Sequence, residues 1–284
     1  MLKQRILTAL VLLSLLIPAL FYPSTHAFFA LMLLLVTAGA WEWGRLNGLN
    51  TGTAVLMGGL CSLVCLAAWL SGLPQLRLPW LWAFSGIVWT SAAIAMLLGG
   101  VSSWLKVPQF LRLGAGLAAL SLAWLAVAQA RLIGINFLLS VFLLVWAADI
   151  FAYFAGRRFG ARLFSRRLAP TISPGKSWEG VCGGLLGVLL LAAVWIWADE
   201  RWAGSGLSLY SQLFTQGPVV LLFALVFLIA MSVVGDLLES LIKRSAGAKD
   251  SSNLLPGHGG VLDRVDALLP VLPLAMMWHS LLNK

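Results

Sequence analysis

Long apolar runs follow one another along almost the whole chain, and no other feature restricts its fold as strongly. A helix needs roughly 20 apolar residues to cross a bilayer, and about nine segments reach or approach that length. Their approximate bounds are Ile6–Tyr22, Ala27–Leu46, Thr53–Gly72, Pro79–Leu98, Leu113–Ala130, Leu132–Ala155, Val181–Ala198, Pro218–Leu238 and Val265–Leu282. Backbone polar groups in lipid must be paired within the segment, and these runs lack the alternation of a membrane β-barrel. The sequence therefore predicts an all-α polytopic integral membrane protein of about nine transmembrane helices.

Charge supports this fold class and indicates an orientation. Charged residues make up only 10% of the 284 residues, whereas soluble domains carry about 25%. The formal charge is +9, but the basic residues lie between apolar runs, a pattern that suits membrane topology and anionic substrates better than nucleic acid. Most of them precede the first span or follow an even-numbered span. The positive-inside rule assigns those segments and the N-terminus to the cytoplasm, and the C-terminus to the other side.

The densest basic cluster lies between the sixth and seventh spans. It consists of Arg157, Arg158, Arg162, Arg166, Arg167 and Lys176. A plain topology signal would explain it. The alternative is an additional role in gripping lipid or nucleotide phosphates, for which guanidinium groups are well suited.

The polar stretch from Asp236 to Asp266 stands out in this apolar sequence. It holds five of the ten acidic residues, with four basic residues interleaved: Asp236, Glu239, Asp250, Asp263 and Asp266, with Lys243, Arg244, Lys249 and Arg264. The spacing of Asp236, Ser240 and Lys243 predicts one face of a helix that continues the eighth span. A glycine-rich loop then leads into the last helix, where Asp263 and Asp266 are expected on one face.

This combination of residues indicates chemistry on phosphates. Asp236 and Asp263, with Asp266 behind them, are predicted to converge on one Mg²⁺, which favours a few carboxylates, waters and phosphate oxygens. The four basic residues would contact phosphates, and Gly259 and Gly260 let backbone N–H groups approach an anion. The pattern predicts phosphoryl or nucleotidyl transfer. An ion or proton relay in a transporter and a loop held by salt bridges are the alternatives.

Three smaller polar signals lie outside this stretch. Asp149 sits within a span, where an ionisable group tends to be functional, although a hydrogen bond between helices is the alternative. The run from Ser173 to Ser177 leads into a helix, either as a phosphate-facing loop or as a simple capped helix start. Pro170 stands where a P-loop needs its first glycine, which excludes that motif. Glu42 ends the second span, and we expect an interfacial carboxylate without a catalytic role.

The polar stretch resembles a known signature over 27 residues. The defining run is Ser240-x-Ile242-Lys243-Arg244, Lys249-Asp250, Ser252, Leu255-Pro256 and His258-Gly259-Gly260-Val261-x-Asp263-Arg264-Val265-Asp266. At each of these positions it is similar to the signature of the phosphatidate cytidylyltransferases, also called CDP-diacylglycerol synthases. The segment from Asp149 to Tyr153 and residues 173–180 resemble weaker motifs of the same family.

The resemblance implies transfer of the cytidylyl group of CTP to phosphatidate, giving CDP-diacylglycerol and pyrophosphate. It also implies Mg²⁺ as cofactor, with a monovalent cation such as K⁺, a homodimer, and a polar active-site cavity that faces the cytoplasm from a bacterial inner membrane. Among enzymes the alternative is a CTP-dependent kinase of polyprenols or phytol, and a lipid transporter is the alternative of another class. We expect residues 1–130 to form a scaffold and residues 131–284 the catalytic region.

Roles for individual residues follow from the resemblance together with their chemistry. The expected metal ligands are Asp236, Asp263 and Asp266. The expected phosphate contacts are Lys243, Arg244, Lys249 and Arg264, with hydrogen bonds from Ser240, Gly259 and Gly260. Further substrate contacts are expected from Asp149, Ser173, Lys176 and Ser177. His258 either protonates the leaving group or orients the loop, and Asp250 either binds metal or holds Lys249.

Overall fold

A computed structural model describes residues 2–160, 162–164, 167–202 and 206–283 of the chain, without the side chains of Leu2, Lys3 and Arg5. Helices make up most of this part of the protein. They are α1 (Leu2–Phe21), α2 (His26–Leu46), α3 (Thr51–Leu70), α4 (Pro79–Gly99), α5 (Val101–Lys106), α6 (Gln109–Ile133), α7 (Ile135–Phe159), α8 (Trp178–Trp202), α9 (Leu209–Phe214), α10 (Pro218–Ser245), α11 (Leu262–Val265) and α12 (Leu268–Leu282). The described ranges contain no strand, only two isolated bridges inside loops. The prediction of an all-α polytopic membrane protein is confirmed.

Eight of the described helical segments are long and apolar enough to cross a membrane, with α11 and α12 counted as one. The first predicted span falls short, because the apolar part of α1 covers only Ile6–Phe21. Even so, α1 runs the length of the bundle. The Thr8 hydroxyl donates to the Pro256 carbonyl at one end, and Arg131 donates to the Leu20 carbonyl at the other.

Local sequence explains where neighbouring helices begin and end. Only Gly134 separates α6 from α7, at a φ of 155° that glycine adopts without strain. At the start of α3 the Asn50 side chain accepts a hydrogen bond from the Thr53 N–H at 2.9 Å, a standard N-cap. Between α11 and α12 the helix is interrupted at Asp266 and Ala267. Asp263 and Asp266, which lie on either side of this point, have different partners: Asp263 contacts Lys243, and Asp266 lies near Asp236.

A row of glycines lets α8 pack closely against α7. A Cβ atom added at Gly184 would lie 2.8 Å from the Ala148 carbonyl oxygen, and one added at Gly187 would overlap atoms of the Phe151 side chain. Small residues at a helix interface allow this approach in membranes. The close packing brings the polar end of α7 next to the start of α8.

The helices before and after residue 130 share one hydrophobic core. In particular, α12 packs against α4 and α6 as well as against α10. The division of the chain into a scaffold and a catalytic region stays a prediction.

Candidate active site

Polar residues gather at one end of the bundle, around a cavity of about 410 Å³ between α7, α8 and α10. Its polar lining includes Asp149, Tyr153, Arg157, Lys176, Ser177 and Asp236. The ammonium group of Lys176 lies 2.5 Å from the Asp236 carboxylate, and both side chains are partly exposed. The structure therefore brings residues from the middle motifs and from the polar stretch into one cavity.

Two carboxylates line this cavity, Asp149 on α7 and Asp236 on α10, and a third, Asp266 in the turn before α12, lies near both of them. The three carboxylates lie close enough for their negative charges to repel one another. The positive charges of Lys176 and Arg264 attract that of Asp149 and partly offset this repulsion. Ser240 donates a hydrogen bond to Asp236 at 3.3 Å from the next turn of α10. Such mutual repulsion favours a cation, or further positive groups, between the three carboxylates.

The run from Ser173 to Ser177 forms a capped helix start, and whether it also faces a phosphate stays a prediction. Ser177 caps α8, because its hydroxyl accepts a hydrogen bond from the Gly180 N–H at 3.1 Å, and it also lines the cavity. Lys176 reaches from the same run towards Asp236. Ser173 instead lies in the preceding turn, where its N–H donates to the Ala169 carbonyl; the lining of the cavity does not include it.

Lys243 forms a second polar centre beside the cavity. Its ammonium group lies 2.5 Å from both Glu239 and Asp263, and all three side chains are nearly buried. The second oxygen of Asp263 accepts hydrogen bonds from the N–H groups of Ser251 and Gly260, at 2.9 and 2.8 Å. Both oxygens of Asp263 are thus engaged by groups of the protein itself. The expectation that Asp263 and Asp266 share one face stays a prediction: the backbone keeps helical angles between them, and both carboxylates lie near Glu239.

The glycine pair packs against carboxylates. Gly259 has a φ of +86°, and a Cβ there would lie 2.6 Å from an Asp263 oxygen. A Cβ at Gly260 would overlap the Ser251 hydroxyl and a Glu42 carboxylate oxygen. The N–H of Gly260 donates to Asp263, so the hydrogen bond expected from it to a substrate is already used within the protein.

The remaining predicted residues are mostly exposed on the surface of the protein. Arg244 and Arg264 are exposed, and each donates to a backbone carbonyl, of Ala248 and His258 respectively. Lys249 and Asp250 are exposed as well. His258 is half-buried, and its Nδ1 has no hydrogen-bond partner in the described part of the chain. Of the basic cluster between α7 and α8, Arg166 lies outside the described residues.

Sequence reasoning missed two buried glutamates. Glu42 is fully buried rather than interfacial, and its carboxylate accepts hydrogen bonds from four donors between Ser251 and Leu262. Glu179 accepts three consecutive N–H groups, of residues 162 to 164, at 3.0–3.1 Å. The signals were weak, since a glutamate at the end of a span, or in the first turn of a helix, is equally typical of a surface position.

Within the described ranges, no three His, Cys, Asp or Glu side chains form a ready-made metal site. Mg²⁺ does not require one, because it usually binds one or two carboxylates together with waters and substrate phosphates. Asp266 fits that donor set, with Asp149 beside it, and Asp236 joins it if the partly exposed Lys176 turns away. Asp263 fits it only if Lys243 moves away.

Comparison with known proteins extends over the whole chain. A sequence model of the Cytidylyltransferase family matches residues 3–282. A protein of Pseudomonas aeruginosa named phosphatidate cytidylyltransferase is 40% identical, covering 99% of this chain and 98% of its own length. A protein of the same name from Haemophilus influenzae is 38% identical over 96% of each chain. One from Bacillus subtilis is 37% identical over 49% of this chain and 46% of its own length.

Proposed function

The chain belongs to the cytidylyltransferase family, and on that premise we propose that it transfers the cytidylyl group of CTP to phosphatidate, giving CDP-diacylglycerol and pyrophosphate. The observation that carries this proposal is the meeting of two distant parts of the sequence around one cavity. Asp149 and Lys176 come from the middle of the chain and Asp236 from the polar stretch, with Asp266 close to both aspartates. Carboxylates beside lysine and arginine suit a reaction between two phosphate compounds.

We propose Asp236 and Asp266 as the residues that hold Mg²⁺, with Asp149 in support. When bound, the ion would neutralise charge on the phosphates. Asp263 remains a predicted ligand, but its contacts with Lys243, Ser251 and Gly260 also support a role in shaping the loop. The expected monovalent cation such as K⁺ stays a proposal that rests on the family resemblance.

The chain's own residues supply positive charge and position. The phosphate of phosphatidate is already an anionic nucleophile, so attack on the α-phosphorus of CTP needs no strong general base. Lys176 and Arg264 act on the same carboxylate, Asp149, and we propose that they neutralise the triphosphate as pyrophosphate leaves. Ser177 is placed to donate its hydroxyl hydrogen to a phosphate oxygen, because its hydroxyl oxygen already accepts the Gly180 N–H.

The acyl chains require an apolar route out of the cavity. A second cavity of about 420 Å³ shares Leu168, Val181 and Val233 with the first and is lined mainly by apolar residues such as Ile172 and Leu237. Moving two acyl chains into water would cost about 0.8 kcal/mol per CH₂ group. We therefore propose that the headgroup lies in the first cavity and that the lipid tails leave through the second, between α8 and α10.

Orientation and assembly follow from other properties of the chain. Arg157 and Lys176 line the cavity, and Lys243 and Arg244 follow Asp236 at the same end of α10, which supports an active site facing the cytoplasm. We propose the bacterial inner membrane as the location, and a homodimer as the assembly that the family resemblance implies.

The decisive assay uses purified protein in detergent with phosphatidate, Mg²⁺ and CTP labelled at the α-phosphate, with and without EDTA. We expect label in a lipid product, release of pyrophosphate, and loss of both with EDTA. Transfer of label from γ-labelled CTP to a lipid would instead identify a kinase. Movement of lipid between the leaflets of vesicles without consumption of CTP would identify a transporter.

A further inference from the structure

We infer that Glu42 is a positioning residue of the active site: its buried carboxylate holds both ends of the loop formed by residues 251–262 and so sets the place of Asp263 and Lys243. This inference rests on the proposed function, because it concerns the same reaction. It reaches beyond the polar stretch, since Glu42 lies on α2, more than 200 residues away in the sequence.

Four hydrogen bonds connect Glu42 to the 251–262 loop. Its Oε1 accepts from the Ser252 hydroxyl at 2.6 Å and from the Val261 N–H at 2.9 Å. Its Oε2 accepts from the Ser251 hydroxyl at 3.0 Å and from the Leu262 N–H at 2.8 Å. Each oxygen therefore accepts one hydrogen bond from the start of the loop and one from its end. In this way the carboxylate connects the two ends of the loop.

The same two segments are held a second time by Asp263. It accepts the N–H groups of Ser251 and Gly260, and its own position is fixed by Lys243. The Ser251 hydroxyl lies 3.0 Å from both Glu42 and Asp263, yet it has one hydrogen and donates to one of them at a time. Glu42 and Asp263 are therefore coupled through one hydroxyl and through the first turn of α11.

Glu42 acts at a distance from the substrates, because its side chain is fully buried beneath the loop. Glutamine at this position keeps the size of the side chain but puts an NH₂ group opposite two hydrogen-bond donors. Those donors lose their acceptors in a buried place, and the loop is expected to loosen. A shift of about 1 Å in a positioned group can reduce a rate by about 100-fold, so turnover should depend on this carboxylate.

The test compares Glu42→Gln with Asp199→Asn in the full-length protein. Asp199 is a matched control, since it is also buried and accepts hydrogen bonds from Asn136, Ser208 and Ser211, but at the opposite end of the bundle. Each variant is examined for thermal stability, for hydrogen exchange of the peptide covering residues 251–262, and for kcat and KM with CTP. Ser252→Ala, which removes one of the four donors, is a milder second variant.

We expect Glu42→Gln to speed amide exchange in the loop and to lower kcat by about 10- to 100-fold, with little change in KM for CTP. Ser252→Ala should lie between wild type and Glu42→Gln in both respects. Asp199→Asn should lower stability and leave loop exchange and kcat as in wild type.

Unchanged loop exchange in Glu42→Gln, or an equal loss of kcat in Asp199→Asn, would overturn the inference. If Glu42→Gln does not fold, wild-type exchange and kcat in Ser252→Ala would overturn it too. A wild-type protein that makes no CDP-diacylglycerol would refute the proposed function instead, and loop exchange would still decide whether Glu42 holds the loop.

Discussion

Replacing Lys243 by methionine should destabilise the protein far more than the same change at Lys176. Lys243 lies 2.5 Å from Glu239 and from Asp263, and the side-chain exposures of the three are 12%, 4% and 6%. Methionine would leave two buried carboxylates facing each other without a cation. Removing one partner of a buried ion pair costs about 3–5 kcal/mol. At about 2–4 °C per kcal/mol for a chain of this size, the melting temperature should fall by about 6–20 °C.

Lys176→Met is the matched control, because Lys176 makes an equally short contact with Asp236 in a much more open place. The side-chain exposures there are 23% and 32%, and pairs open to solvent contribute about 0–1 kcal/mol. Its melting temperature should change little, while synthesis of CDP-diacylglycerol should fall, since Lys176 lines the cavity. Thermal unfolding in detergent, followed by fluorescence, separates the two effects. Equal losses of stability in the two variants would refute this account of the Lys243 centre.

Three further predictions test the cavity and the helix packing around it. Asp236→Asn should abolish turnover at any Mg²⁺ concentration and leave the melting temperature within a few degrees of wild type, since Asp236 is partly exposed; normal activity would remove it from the proposed ligand set. Gly184→Ala should reduce stability and activity together, because the new Cβ would lie 2.8 Å from a backbone carbonyl of α7, whereas Gly59→Ala, with open space around it, should be neutral. Titration with EDTA followed by addition of Mg²⁺ should abolish and then restore synthesis, and synthesis that resists EDTA would contradict the Mg²⁺ proposal.

Apolar length and glycine signals were enough to predict most of the fold. The predicted boundary between the spans Leu113–Ala130 and Leu132–Ala155 is confirmed to within a few residues, since Gly134 separates α6 from α7. The capped start of α8 at Ser177 follows from a local pattern, and the structure has it. The polar spacing of Asp236, Ser240 and Lys243 predicted that the helix continues past the eighth apolar span, and α10 does extend to Ser245. The short interruption at Asp266 and Ala267 was not predicted, since both residues keep helical backbone angles.

The candidate site was harder to predict, because its chemistry depends on which carboxylate faces which cation. The sequence offers Asp236, Asp263 and Asp266 as equivalent residues, and spacing alone cannot distinguish them. In the folded chain Asp263 meets Lys243, while Asp266 comes close to Asp236 and Asp149. These choices follow from contacts between α7, α10 and α12, which are distant along the chain.

Glu42 shows that the first helices contribute to the candidate site as well as to the packing of the bundle. A helix that only supported the bundle would not need a buried carboxylate, which is costly to bury unless it is well paired. The four donors that pair it all belong to the 251–262 loop, so the loop stabilises Glu42 as much as Glu42 stabilises the loop. The glycine at position 260 fits this arrangement, since a side chain there would collide with the Glu42 carboxylate. The polar stretch therefore depends on a carboxylate from α2 to hold its loop in place. A fragment that began after residue 130 would lack Glu42 and its hydrogen bonds to the 251–262 loop.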